Sequence, residues 1–231
     1  MLQADISKIS ILSDDQERIL LKDIHFTLNA NRVYTILGEN GSGKSTLIKS
    51  LSLLLDKRFF RIDGQILWNK KNLFDASEEE LISIRKNQIR YVFQDCVNAF
   101  DQLKKIGYYF DLMVEDDSKF LNLLEYFNLP PKSEIKNLYP YELSGGMAQR
   151  ISIILAVIAN PQLLILDEPT SSADTAIINL LIHFLREYVS ERKNSVLIVT
   201  QDLLFAEKVS DEIASIKNFT LSEFSPSYGY K

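Results

Sequence analysis

Apolar and polar residues follow two rhythms along the chain, one of period two and one near 3.6. Residues 3–11 alternate at period two and predict a strand, and "ILLKDIHFTL" (19–28) reads as its neighbour. "RVYTIL" (32–37) is a short buried strand that opens directly into a glycine-rich loop, and "STLIKSLSLLL" (45–55) then takes helical spacing. "GQILWN" (64–69) and "IRYVF" (89–93) predict further strands. Between them, "SEEELISIRK" (77–86) is a short helix opened by a capping box of Ser77 and Glu80. From about 95 to 143 polar turns alternate with helical stretches such as "SKFLNLLEYFN" (118–128), broken by Pro130-Pro131 and Pro140, which makes a mostly helical insert. Beyond it come helix 145–159, strand 162–166, helix 176–190, strand 196–200, helix 203–209 and strand 211–216, while 217–231 show no further element. Strands alternating with helices predict an α/β fold with a parallel sheet covered on both faces.

Composition narrows the function classes only a little. At 231 residues the chain is one large domain or a core with a small subdomain. A hydrophobic share of 46% and a charged share of 25% fit a globular protein, and a net charge of −5 leaves no basic footprint for nucleic acid. One cysteine, Cys96, and two histidines, His25 and His183, exclude an internal disulfide and argue against a Cys/His metal site. They fit a reducing, cytosolic compartment. Residues 1–8 lack the basic-then-apolar pattern of a signal peptide, and the longest apolar run, 153–159, stops at Asn160-Pro161, far short of a membrane span. Membrane association is therefore expected only through a partner.

Three motifs carry chemistry. "GENGSGKST" (38–46) matches the phosphate-loop spacing G-x-x-x-x-G-K-[ST] and lies between a predicted strand and a predicted helix. Gly38, Asn40, Gly41, Ser42, Gly43 and Thr46 would wrap backbone N–H groups around phosphate oxygens, Lys44 would reach the β and γ phosphates, and Ser45 would ligate Mg²⁺. "LLILDEP" (163–169) ends a strand on two acids: Asp167 suits a magnesium carboxylate and Glu168 a base for the attacking water. "LSGGMAQR" (143–150) sets a serine and two glycines before a helix, a second anion cradle that makes sense against the nucleotide of another subunit.

These motifs, in this order, resemble the ATP-binding cassette (ABC) ATPases, whose signature reads LSGGQ. The likeness spans nearly the whole chain, 1–231, as one cassette, with Gln94 in "YVFQD" as the Q-loop glutamine and "SSAD" (171–174) as the D-loop. It is strongest toward the ATPases of oligopeptide, dipeptide and nickel importers, through residues 62–95 and "YPYELSGGMAQR" (139–150). The resemblance implies a phosphate-loop NTPase fold: a RecA-like core, an antiparallel β subdomain and a helical subdomain at about 95–143. It implies ATP and Mg²⁺ as cofactors, the metal held by Ser45, Gln94 and Asp167, and catalysis by Glu168 and the residue at 201. It implies that Ser144, Gly145, Gly146, Met147 and Asp174 contact the nucleotide of a facing cassette. The implied partners are membrane-spanning permease subunits, a second ABC ATPase subunit and an extracytoplasmic substrate-binding protein, with the chain on the cytoplasmic face of the membrane and no nucleic acid bound.

Departures from the family pattern sharpen the expectations. Gln201 stands where the family's switch histidine contacts the γ-phosphate. Residues 1–24 contain no Phe, Tyr, Trp or His to stack on adenine, so Ile11, Leu12 or Ile19 is expected to offer apolar contact only. The importer branch continues past the last core strand whereas this sequence stops at Lys231, so the resemblance fixes the cassette more firmly than the substrate class. His25, His183 and Cys96 read as structural or surface residues. The aromatic cluster "GYYFDL" (107–112) is either core or part of a groove for a partner's coupling helix. Three function classes stay open: a transporter ATPase whose own site is impaired by Gln201, a regulatory subunit that binds ATP with little hydrolysis, and a soluble ABC protein outside transport.

Overall fold

The structure, a computed structural model, describes residues 1–13, 16–190 and 194–228. Two sheets stack. The first is antiparallel, built from β1 (Leu2–Ser13), β2 (Gln16–Leu28), β4 (Phe60–Trp68) and β5 (Lys71–Asn72) in the order β2-β1-β4-β5. The second has β3 (Val33–Leu37), β6 (Ile89–Val92), β7 (Leu163–Asp167), β8 (Ser195–Thr200) and β9 (Glu212–Lys217), all parallel, in the order β9-β3-β8-β7-β6. Two short antiparallel strands, β10 (Thr220–Leu221) and β11 (Ser225–Pro226), add to β9. Such two-residue strands are too short to leave a periodic trace, which is why 217–231 read as empty.

Strand periodicity explains the layering. Every residue of β3, β7 and β8 is buried, as expected of parallel strands covered on both faces. Successive side chains of β7 point to opposite faces. Leu163 and Ile165 join the antiparallel sheet and helix α1 (Lys44–Ser50), whereas Leu164 and Leu166 join the core of helices α6 (Gly145–Ile158) and α7 (Thr175–Ser190). On that second side α3 (Ile106–Met113), α4 (Asp117–Tyr126) and α5 (Lys132–Ile135) fill the predicted helical insert, with Phe110, Phe120 and Phe127 fully buried. The aromatic cluster divides: Phe110 is core, Tyr109 packs against it, and Tyr108 and Leu112 are exposed. Among the described residues no helix is long and apolar enough to cross a membrane.

Two local features depart from simple periodicity. In β1 the buried set runs Leu2, Ala4, Ile6 and then Ile9, because the register against β4 shifts between Ile6 and Lys8. A bulge of one residue swaps faces, and Gly64 opposite it sits at φ 134° with no room for a side chain: a Cβ there would lie 2.2 Å from the Asp5 carbonyl oxygen. The helix expected over 45–55 ends at Ser50, where Leu53 turns to φ 51° and the Leu54 N–H closes on the Lys49 carbonyl at 2.9 Å. The capping box is present: Ser77 Oγ accepts the Glu80 N–H, and a Glu80 oxygen accepts the Ser77 N–H, at the start of α2 (Glu78–Asn87). Helix α8 (Leu203–Val209), capped by Asp202, completes the βα alternation.

Candidate active site

β3 delivers the chain into the loop at 38–43 and thence into α1. Gly43, the residue before the helix, adopts φ 99° with Leu21 3.2 Å from where its Cβ would be, so a left-handed backbone and close packing both require glycine. Lys44 is 5% exposed, and its Nζ donates to the carbonyls of Gly38 at 2.7 Å and Glu39 at 3.1 Å. The same Nζ lies 3.2 Å from Glu168 Oε1, a charge contact without hydrogen-bond alignment, so that oxygen has no hydrogen-bond partner among the described residues.

The adjoining carboxylates are held differently. Asp167 ends β7; its Oδ1 accepts the Ser45 hydroxyl at 3.0 Å and its Oδ2 accepts the Tyr91 hydroxyl at 2.8 Å. Burial raises the Asp167 carboxyl above the ordinary carboxylate range, although both hydroxyl bonds pull the other way. Burial, together with the Asp167 charge, also pushes the Tyr91 phenol up, so Tyr91 stays a donor. Glu168, at φ 48°, accepts the backbone N–H of Gln201 at 3.3 Å through Oε2, while Gln149 Nε2 donates to its carbonyl at 3.3 Å. The Gln201 side chain itself is exposed.

A pocket of about 240 Å³ opens over the loop, walled by Lys44, Ser45, Gln94 and Glu168 and also by Arg18, Leu20 and Phe219. A second hollow of about 510 Å³, with Lys49, Phe93, Gln94 and Asp167 in its wall, adjoins it, so Gln94 borders both. Ile11, Leu12 and Ile19 line neither. Leu20 is the aliphatic residue and Phe219 the aromatic one in the wall of the first pocket.

The structure brings Lys44, Ser45, Gln94, Asp167 and Glu168 together and keeps the signature apart. Ser144 caps α6 through its hydroxyl, which accepts the Met147 N–H at 3.2 Å. Gly145 and Gly146 abut Ser172, whose carbonyl oxygen would be 2.9 Å from a Cβ on Gly146. Asp174 accepts the Ile177 N–H at 2.9 Å at the start of α7. Ser144 to Met147 and Asp174 line neither pocket.

The profile of the ABC transporter family matches residues 21–171, nearly two thirds of the chain, from β2 through the loop, the signature and Asp167. The chain belongs to the ABC transporter family. This cassette is 32% identical over 201 residues to the oligopeptide transport ATP-binding protein OppD of Lactococcus lactis subsp. cremoris, covering 83% of this chain and 60% of that protein. It is 30% identical over 230 residues to the metal-staphylopine import system ATP-binding protein CntD of Staphylococcus aureus, covering 94% and 83%. The cassette thus spans about 60% of the length of the first of these relatives. A dimeric ATP-binding cassette solved in a post-hydrolysis state with ADP and Pi superposes with a TM-score of 0.83 over 100% of both chains at 21% identity, which shows the phosphate-loop NTPase fold.

Several site residues were invisible to the sequence. Tyr91 and Gln149 stand inside the stretches 91–95 and 143–150, but nothing in those stretches shows that they contact acids 76 and 19 residues away. The other titratable candidates stay structural. His25 pairs with Asp5 across β1 and β2 at 2.8 Å, and His183 meets Glu187 one helical turn on. Cys96 is buried, its thiol pushed up to about 11 by that burial, which removes the thiolate needed for redox chemistry.

Proposed function

We propose that this cassette binds Mg-ATP over residues 38–46 and hydrolyses it to drive a membrane transporter, an importer of peptides, metals or metal chelates. The observation that carries the reading is the cluster of buried Lys44, Ser45 paired with Asp167 at 3.0 Å, and Glu168 with an unbonded oxygen. Those residues fit the group. A buried carboxylate, Asp167, with the Ser45 hydroxyl 3.0 Å from its Oδ1 suits a hard cation that would take few protein ligands, as magnesium does. Ser45, Asp167 and Gln94 would hold it. When bound, the cation neutralises charge on the β and γ oxygens.

The chain's own residues supply the rest. Lys44 exchanges its two loop carbonyls for phosphate oxygens, which strengthens its hydrogen bonds because both partners are then charged. That exchange loosens its contact with Glu168, whose free Oε1 orients the attacking water and takes its proton. Gln201 can donate an amide hydrogen bond to the γ-phosphate but cannot become a cation or shuttle a proton near neutral pH. Hydrolysis at this site is therefore slow. The signature, outside its own pocket, supports pairing with a second ATPase subunit, and permease subunits would tether both to the cytoplasmic face of the membrane, served by an extracytoplasmic substrate-binding protein. Gln201 also supports a second reading, an ATP-binding regulatory subunit with little turnover of its own.

Titration calorimetry with Mg-ATP tests the core of this reading. Lys44→Ala should abolish measurable binding, because the buried cation facing the phosphates is gone. Binding as tight as the parent's would remove ATP from the site.

A further inference from the structure

We propose that Phe219, carried on the turn between β9 and β10, is the platform on which the nucleotide base stacks. This rests on reading the same pocket as the Mg-ATP site. Lys217 pairs with Thr220, so Asn218-Phe219 is a two-residue hairpin loop. Both residues have positive φ, 51° and 66°. That is the mirror-image turn whose usual sequence is Asn-Gly: asparagine at 218 fits it, but a bulky residue at 219 holds a backbone conformation natural to glycine. The strain is not repaid by packing. Phe219 is 55% exposed and belongs to none of the buried clusters, unlike Phe224, which packs edge-on against Phe26 and Tyr34. Strain kept at an exposed aromatic points to a use outside the fold.

The turn is also fixed in place. The Phe219 carbonyl accepts the Lys22 N–H at 2.8 Å, and Leu21, the next residue along β2, packs against Gly43 of the phosphate loop. The backbone that carries the ring is thereby tied to the loop through one strand. Phe219 shares the pocket wall with Leu20 and Arg18, giving a flat aromatic, an aliphatic surface and a guanidinium beside a phosphate cradle. A nucleoside triphosphate has those complements in one molecule: a planar ring linked to a chain of anions. Stacking reads the face of a base and not its edge, so ATP and GTP should bind within about tenfold of each other.

The test compares Mg-ATP with Mg-tripolyphosphate, which keeps the phosphates and lacks the base, by calorimetry on the full chain. Phe219→Gly suits the turn and should fold at least as well as the parent. It should weaken Mg-ATP about 5- to 150-fold, the loss of one stacked ring, and leave Mg-tripolyphosphate unchanged. Phe219→Trp should restore Mg-ATP affinity and report binding through indole fluorescence. Unchanged Mg-ATP affinity in Phe219→Gly overturns the platform, and so does an equal loss for both ligands. A parent that binds Mg-tripolyphosphate as tightly as Mg-ATP overturns the platform but keeps the phosphate site. A parent that binds neither overturns both.

Discussion

Burial makes the charged form of Asp167 costly in the free cassette. Its carboxyl titrates higher in the fold than in the unfolded chain, mainly because it is buried. The folded state therefore binds the proton more tightly. Stability from this group is fully present below the ordinary carboxylate value and falls as pH rises through the raised one. At neutral pH Asp167 thus works against the fold until a cation arrives. Asp167→Asn keeps an oxygen to accept from Ser45 or Tyr91 and removes the charge. Its melting temperature without ligand should equal or exceed the parent's at neutral pH. The parent should gain about 2.7 kcal/mol from Mg-ATP at a hundred times its dissociation constant, and Asp167→Asn should gain almost none. A less stable variant that still responds to Mg-ATP would contradict the assignment. Lys44, Ser45, Asp167 and Glu168 were legible because short motifs fix them on strand and loop ends. Tyr91 was not, because its role exists only once β6 and β7 lie side by side.

Among the elements, the bulge in β1 controls which residues reach the core beneath the loop. The register of β1 against β4 changes at Gly64, which sends Ile9 rather than Lys8 into the cluster that holds Leu47, Ile48 and Leu21. Gly64→Ala should destabilise the cassette by about 3 kcal/mol, from positive φ and the collision with the Asp5 carbonyl. Urea unfolding checks this, and a loss under about 0.5 kcal/mol would show that the strand yields cheaply. The strands and helices themselves were readable from periodicity, including the capping box of α2. Bulge parity, the early end of α1 and the two-residue strands were not, because each is set by backbone geometry and tertiary pairing. Phe219 stayed hidden for the same reason. An Asn-Phe pair in a tail without visible strands gives no sign that it forms a hairpin turn against β2.

For the whole molecule, the phosphate loop lies in its pocket and the signature lies outside that pocket, against Ser172. In the proposed pairing, that signature would close over the nucleotide of a facing subunit. There Gln201 would make the two sites unequal, since its side chain is neutral and its backbone N–H already donates to Glu168. Positioned acid–base groups contribute about 10²- to 10⁴-fold in rate, so the site over Lys44 should bind ATP and turn over at least about tenfold slower than one with an imidazole. The decisive measurement is single-turnover ATP hydrolysis in the purified transporter complex, with the partner ATPase silenced at its own catalytic glutamate. Gln201→His should accelerate the remaining site about tenfold or more over the parent chain. An unchanged rate, with ATP bound equally well, would contradict the claim that this glutamine slows the site.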